Sequence, residues 1–249
     1  MRVDPECGTA AGGGDALVVG MGAIGAAVAA HWTAQGRFGN VWCIARSLPE
    51  ARGPGMRCLV TDHSDDSLAA CLGQIRSGGR PLSRVVIAIG TLHGDTYQPE
   101  KALGRLREDA LLDVYRVNCV LPLRWLAALG PLLRGADDCR VTVLSARVGS
   151  IGDNRLGGWY SYRCAKAALN MGLKSAAIEL ARGSRGVKLI AYHPGTVDSD
   201  LSKPFQDRVP AEQLFSPAQA AAYLAQVVEQ QPPDGELAYV DWAGAPIAW

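Results

Sequence analysis

An α/β fold, with a mainly parallel sheet covered by helices on both faces, is predicted by three observations. Strand-like apolar runs alternate with helical stretches along almost the whole chain, the order expected of a parallel sheet built from βαβ units. The run Val85-Val86-Ile87-Ala88-Ile89 is apolar without a break, as in a strand buried on both faces. A glycine turn, Gly20-Met21-Gly22-Ala23-Ile24-Gly25, directly follows the first apolar run and opens a helical stretch.

The elements follow in order. Leu17-Val18-Val19 reads as the first strand and Ile24 to Gln35 as the first helix. Val41 to Ile44 and Met56 to Val60 are the second and third strands. A helix is expected from Ser64 to Ser77, with Ser64 or Asp65 placed to cap its start. After the Val85–Ile89 strand comes a long helix over Glu108–Leu133, bent at Pro122 because proline removes an amide donor and crowds the preceding turn. Val141 to Leu144 is the fifth strand, Tyr160 to Arg182 a helix, and Val187 to Tyr192 the sixth strand. Pro217 to Gln230 forms the last helix and Leu237 to Asp241 the last strand. No internal repeat or linker divides the chain, so residues 15–249 read as one domain behind a flexible tail over residues 1–14.

With 249 residues, 48% apolar content and a net charge of +1, the chain has the composition of a soluble globule with a sizeable core. That balance gives no electrostatic case for nucleic acid or an anionic membrane as partner. The apolar run Ala16–Ala30 is shorter than the ~20 residues a membrane helix needs, and it contains the glycine turn. No signal peptide is visible. Seven cysteines without C-x-x-C spacing point to reduced thiols and a cytoplasmic setting. The four histidines, His31, His63, His93 and His193, show no ligand-like spacing with cysteine or acid, so no metal site is expected.

The glycines carry the first functional signal. At a strand–turn–helix junction they permit a tight turn, close approach of a phosphate and close helix–sheet packing, while the helix start offers free N–H groups. This makes the chain a single Rossmann-type doubly wound domain with a nucleotide on Gly20, Gly22, Ile24 and Gly25. An NAD site usually has an acid at the end of the second strand; here Ala45-Arg46-Ser47 follows, with no acid before Glu50. Arg46 can pair with a 2′-phosphate and Ser47 can add a hydrogen bond, which favours NADP(H) over NAD(H). Asp62 reads either as an acceptor for the adenine amino group or as a turn aspartate before Ser64.

The second signal is Tyr162-Arg163-Cys164-Ala165-Lys166, a phenol and an ammonium four residues apart in a helix-forming stretch. Residues i and i+4 share one helix face. A free phenol titrates near pH ~10, and a nearby positive charge lowers that value. The pair suits proton donation to a carbonyl, but taken alone such spacing more often marks an ordinary solvated helix face.

Taken together, the glycine turn, Asp62, Ile89-Gly90, Asn118, Ser145, Tyr162 with Lys166, and Pro194-Gly195-Thr196-Val197 resemble the short-chain dehydrogenase/reductase family in residues and order. The resemblance runs from about Ala16 to Trp249. Within the family, Ser145 to Ile151, Asp153 to Tyr162, Asp241-Trp242-Ala243-Gly244 and Trp249 are most similar to the C-factor/sniffer-type subgroup. The resemblance implies that Tyr162 is the general acid in carbonyl reduction and that Lys166 lowers its pKa and holds the nicotinamide ribose. It implies that Ser145 hydrogen-bonds the substrate oxygen and that Asn118 holds a water in a proton relay. Ile89 and Gly90 would pass under the cofactor; Pro194, Gly195, Thr196 and Val197 would border the nicotinamide, with His193 close by.

Three positions depart from the family pattern. The glycine turn is one residue shorter than usual, Ala88-Ile89-Gly90 stands where Asn-Ala-Gly is common, and Ser145 lies further from Tyr162. Trp159 and Tyr160 in the intervening loop either line a substrate pocket or pack on the core. Leu201 to Val209 reads as a lid, with Lys203-Pro204-Phe205 over the substrate. The expected function is therefore an NADP(H)-dependent oxidoreductase acting on a small carbonyl or alcohol, in a homodimer or homotetramer paired through the long helices. A nucleotide-binding signalling protein of the C-factor type with little turnover, and an epimerase or dehydratase using the same tyrosine and lysine, are the alternatives.

Overall fold

The computed structural model describes residues 13–47 and 55–249. In chain order the strands are β1 (Asp15–Val19), β2 (Val41–Ala45), β3 (Met56–Val60), β4 (Leu82–Ile87), β5 (Cys139–Leu144), β6 (Val187–His193), β7 (Thr196–Val197), β8 (Leu214–Phe215) and β9 (Ala238–Asp241). The α-helices are α1 (Ala23–Gln35), α2 (Asp65–Ser77), α3 (Glu108–Tyr115), α4 (Leu121–Leu133), α5 (Tyr160–Ala181) and α6 (Pro217–Glu229). Seven strands form one parallel sheet in the order β3-β2-β1-β4-β5-β6-β9, and β7 pairs separately with β8.

The chain winds outward from β1 to β3, then returns to lay β4 on the other side of β1. The crossovers therefore diverge between β1 and β4, and a crevice opens at the carboxyl ends of those two strands. Side-chain alternation along β1 seals both faces. Leu17 and Val19 join Trp42, Ile87, Val141, Leu169 and Leu173 in one core layer, under α2, α4 and α5. Ala16 and Val18 join Val28, Trp32, Tyr192 and Leu224 in the other, under α1 and α6. Each Val, Leu or Ile among them contributes roughly 1.5–3 kcal/mol on burial, so the sheet is a rigid platform for the loops at its carboxyl edge. At the opposite edge the buried Asp15 carboxylate is satisfied by Trp42 Nε1 at 2.7 Å and the Asn40 backbone N–H at 2.9 Å.

Two features differ from the sequence-based expectation. The long helix over 108–133 runs on without a break but contains a π-helical turn, Arg116–Val120, just before Pro122. Pro122 is the second residue of α4, directly after that turn. The π turn is set by Asn118, whose side-chain amide donates to the Val114 carbonyl at 2.9 Å and the Thr91 carbonyl at 2.8 Å. The short pair β7–β8 also has no counterpart in the expected elements. Of the tail expected over residues 1–14, only Gly13 and Gly14 lie within the described residues, and Gly13 forms an isolated parallel bridge with Phe38. Among the described residues no helix is long and apolar enough to cross a membrane.

Candidate active site

The crevice between β1 and β4 contains a cleft of about 280 Å³. Of the residues singled out in the sequence, Gly22, Ile24, Gly25, Ile89, Gly90, Ser145, Tyr162, Lys166 and Pro194 line it. At one end the turn after β1 leads into α1. Gly20 has φ +97° and runs so close to β4 that a Cβ there would lie 2.9 Å from the Ala88 carbonyl. A Cβ on Gly25 would overlap the Gly20 carbonyl oxygen, so only glycine lets the helix sit this tightly on the turn. Helix α1 has no side-chain N-cap and no acid in its first turn. Its first N–H groups and positive dipole end are thus left to an anion entering the cleft.

At the other end α5 supplies Tyr162 and Lys166. The Lys166 Nζ is buried, donates to the Leu144 carbonyl at 2.8 Å and lies 5.7 Å from the centroid of the Tyr162 ring. Burial pushes the Lys166 pKa down to about 7. Burial also raises the Tyr162 phenol above its ordinary value. The lowered phenol expected from the sequence is therefore reversed in the protein alone. Desolvation acts on both members of the pair, and an ammonium that itself drifts toward neutrality offers the phenolate little charge. A Cβ on Gly90 would stand 3.2 Å from Asn118 Oδ1 and 3.8 Å from Lys166 Nζ, which puts Asn118 at the edge of the same group. The Asn118 side chain is occupied by the loop after β4, accepting from the Thr91 N–H at 3.2 Å.

Ser145 follows β5 and is buried at the floor of the cleft. Its hydroxyl donates to Asn170 Oδ1 at 2.6 Å. Asn170 was not singled out in the sequence, although its spacing of four from Lys166 and eight from Tyr162 puts all three on one face of α5. Glu100 was missed as well. Helix α5 has no N-cap of its own, and Trp159 before it sits in the left-handed region at φ +51°. The cap comes from the distant Glu100: its carboxylate accepts from the Ser161 N–H at 3.2 Å and from the Ser161 hydroxyl, and its carbonyl accepts from the Trp159 N–H at 2.5 Å. No local pattern marks that role; the only sequence cue is an acid in a long loop.

Most of the remaining predicted residues lie outside the cleft lining. Arg46 and Ser47 are exposed at the end of β2. The His63 imidazole pKa is lowered by burial first, then by Arg46, Arg116 and Arg124, with Asp62 opposing, and Arg124 is itself paired with Asp65. The Asp62 carboxylate accepts from the Ser64 N–H at 2.8 Å and from the Ser64 hydroxyl at 2.6 Å, the turn role weighed for it. Gly195 has φ +74° and faces the rings of Phe215 and Trp242, while Thr196 and Val197 form β7. The expected lid over 201–209 carries a 3-10 turn at Lys203–Arg208, and Leu201 with Ser199 and Asp200 lines the cleft. Phe205 packs edge-on against Trp159 and His93, with ring centroids 5.2 and 6.0 Å away, and His93 Nε2 lies 3.1 Å from the Asp200 carbonyl. Trp159 in turn packs against the Tyr162 ring, centroids 6.3 Å apart. Among the described residues no group of three or more His, Cys, Asp or Glu side chains is gathered as a metal site.

The cleft thus joins an anion-ready helix start to a phenol, an ammonium and a hydroxyl about one helix face. The family model described as short chain dehydrogenase matches residues 7–210. Over 187 residues, 75% of this chain and 76% of the relative, the sequence is 32% identical to 1-hydroxy-2-glutathionyl-2-methyl-3-butene dehydrogenase of Rhodococcus sp. (strain AD45). It is 30% identical over 148 residues to C-signal of Myxococcus xanthus, covering 59% of this chain and 84% of the relative. The structure of carbonyl reductase Sniffer of D. melanogaster aligns with a TM-score of 0.81 over 95% of this chain and 99% of that one, at 20% identity, a likeness of fold. The chain belongs to the short-chain dehydrogenase/reductase family, the NAD(P)-dependent oxidoreductases, with similarity to their C-factor and sniffer-type members.

Proposed function

We propose that this enzyme interconverts a small carbonyl compound and an alcohol using NADP(H), with Tyr162 as the acid/base. The observation that carries the reading is the convergence of Tyr162, Lys166 and Ser145 at one end of a cleft whose other end is the uncapped start of α1. A bound nicotinamide cofactor supplies the hydride in reduction and accepts it in oxidation.

The residues fit such a group. A Cβ on Gly22 would meet nothing within 4 Å, so there is open space over the α1 amides for a pyrophosphate. Lys166, buried with only the Leu144 carbonyl as its acceptor among the described residues, suits ribose hydroxyls. Ile89, Gly90, Pro194 and the β7 residues would flank the rest of the dinucleotide, and Arg46 with Ser47 would hold a 2′-phosphate. Asp62 stands at the adenine end.

Tyr162 gives its phenolic proton to the carbonyl oxygen in reduction and recovers it in oxidation. Lys166, once charged, lowers the cost of the phenolate left behind. Ser145 donates a hydrogen bond to the oxygen as negative charge develops there. Asn118 holds the loop after β4 beside Lys166, where a water relay to solvent would begin. The setting that goes with this reading is a cytoplasmic homodimer or homotetramer. It is supported by free thiols at six described cysteines and by exposed Leu112, Tyr115, Met171 and Ile178 on α3 and α5.

The test is Tyr162→Phe, assayed for NADPH consumption with a panel of aldehydes, ketones and quinones. Turnover is expected to fall about 10²–10⁴-fold, with NADPH affinity retained. Turnover equal to the wild type would overturn the assignment. The similarity to C-signal favours one second reading, a nucleotide-binding signalling protein; it predicts NADPH binding with no consumption by the wild type across that panel.

A further inference from the structure

We propose that Asn170 is a positioning residue for Ser145, accepting its hydroxyl proton in the resting protein and donating to it when a carbonyl oxygen is bound. The inference rests on the reading of Ser145 as the donor to the substrate oxygen.

Ser145 Oγ and Asn170 Oδ1 are 2.6 Å apart, and both residues are buried, at 3% and 4% exposure. Tyr239 donates to the carbonyl of Ala146 at 2.8 Å, the residue next to Ser145. Helix α5 and strand β9 thus hold the Ser145-Ala146 corner from two directions.

A serine hydroxyl has a single proton. In this arrangement Asn170 takes it, so Ser145 has nothing left to give a substrate oxygen. A side-chain amide carries a donor and an acceptor on one plane. Turned over, its Nδ2 donates to Ser145 Oγ; the serine proton is then free for the substrate, and the incoming hydrogen bond polarises the hydroxyl further. A carboxylate at 170 is nearly isosteric but only accepts, and its charge would hold the Ser145 proton more tightly. The amide is therefore the group that both stores and releases this proton.

The experiment compares Asn170→Asp, Ser145→Ala and the double variant, using NADPH with benzaldehyde, acetophenone and menadione. Asn170→Asp is expected to lower kcat about ten- to a hundredfold, with KM and NADPH affinity unchanged. Its rate relative to the wild type should climb as the pH is lowered, because a protonated carboxyl regains a donor. In the Ser145→Ala background the same substitution should change kcat little, since its effect passes through Ser145. A wild-type kcat and pH profile for Asn170→Asp, or losses that multiply in the double variant, would overturn the proposal. If Asn170→Asp does not fold, Tyr239→Phe decides. That variant keeps the ring and removes the bracing hydroxyl, and a several-fold loss of kcat that is non-additive with Ser145→Ala is expected. A wild-type kcat in Tyr239→Phe then overturns the proposal. Full turnover by Ser145→Ala would instead remove the catalytic reading beneath it, as would a wild type inactive on all three compounds.

Discussion

The Lys166 ammonium nitrogen lies 5.7 Å from the centroid of the Tyr162 ring, yet without a ligand each group is held away from its charged form by burial. The pair is thus poised by the fold and completed by whatever enters the cleft. Arranged this way, an oxygen-rich ligand beside Lys166 would restore the ammonium, and the ammonium would then favour the phenolate.

The first prediction follows from the sign of the Lys166 shift. Its pKa drops from 10.5 to about 7 on folding, so between those values the unfolded chain binds more protons than the folded one. Stability therefore rises with pH across that window, and the penalty is complete below it. Lys166→Met should gain most over the wild type below pH 7, by at most about 5 kcal/mol, with the margin shrinking as the pH rises. Thermal unfolding without cofactor, between about pH 6 and pH 9, checks this; a margin that does not change with pH would contradict it.

The second concerns Glu100. Its carboxylate satisfies two groups of Ser161 at an α5 start that has no cap of its own, and Ser161 immediately precedes Tyr162. Removing the acceptor leaves buried donors unpaired, at a cost of about 1–3 kcal/mol each. Glu100→Ala should lower the melting temperature by roughly 5–10 °C and reduce turnover, because the helix end that orients Tyr162 frays. Glu100→Gln, which keeps one acceptor, should fall between. Hydrogen exchange at the first turn of α5 would locate the loss, and unchanged protection there would exclude the capping role.

What was legible in the sequence is what depends on local pattern. Met56–Val60 and the starts of α5 at Tyr160 and α6 at Pro217 fall where the sequence pattern puts them, and the glycine turn is read from its spacing. Tyr162 and Lys166 were legible because four residues bring them to one helix face, and Asn170 was within reach of the same rule. The π turn before α4 was not. Asn118 within it finds carbonyls at Val114 and at Thr91, the latter 27 positions away. Glu100 was hidden for the same reason, since its partner Ser161 is 61 positions along the chain. The raised phenol was also out of reach, because proximity of charge can be read from spacing and depth of burial cannot.

A third prediction addresses cofactor choice. Arg46 is exposed at the end of β2, near enough to His63 to lower its pKa together with Arg116 and Arg124. A guanidinium on a 2′-phosphate makes charge-assisted, often paired hydrogen bonds worth about 1.5–3 kcal/mol each. Arg46→Ala should raise the NADPH dissociation constant about ten- to a hundredfold and leave that of NADH nearly unchanged. Fluorescence titration with both nucleotides measures it, and equal losses for the two would refute phosphate recognition by Arg46.

The glycine turn gives the last prediction, because two of its glycines have separable roles. Gly25 is a packing glycine: a Cβ there would overlap the Gly20 carbonyl and lie 3.3 Å from Val18 Cγ1, with backbone that cannot yield. Gly22 has an ordinary extended conformation, φ −71° and ψ −173°, and open space around it. Alanine at 22 should therefore leave stability unchanged or add about 0.4–1 kcal/mol by restricting the unfolded chain. Its methyl would nevertheless stand in the cleft at the start of α1, where a pyrophosphate must approach the backbone closely. Gly25→Ala is expected to cost about 1–3 kcal/mol of stability, seen as a lower melting temperature without cofactor. Gly22→Ala should melt like the wild type and bind NADPH at least about tenfold more weakly. Wild-type NADPH affinity in Gly22→Ala would mean that the dinucleotide does not lie on this turn.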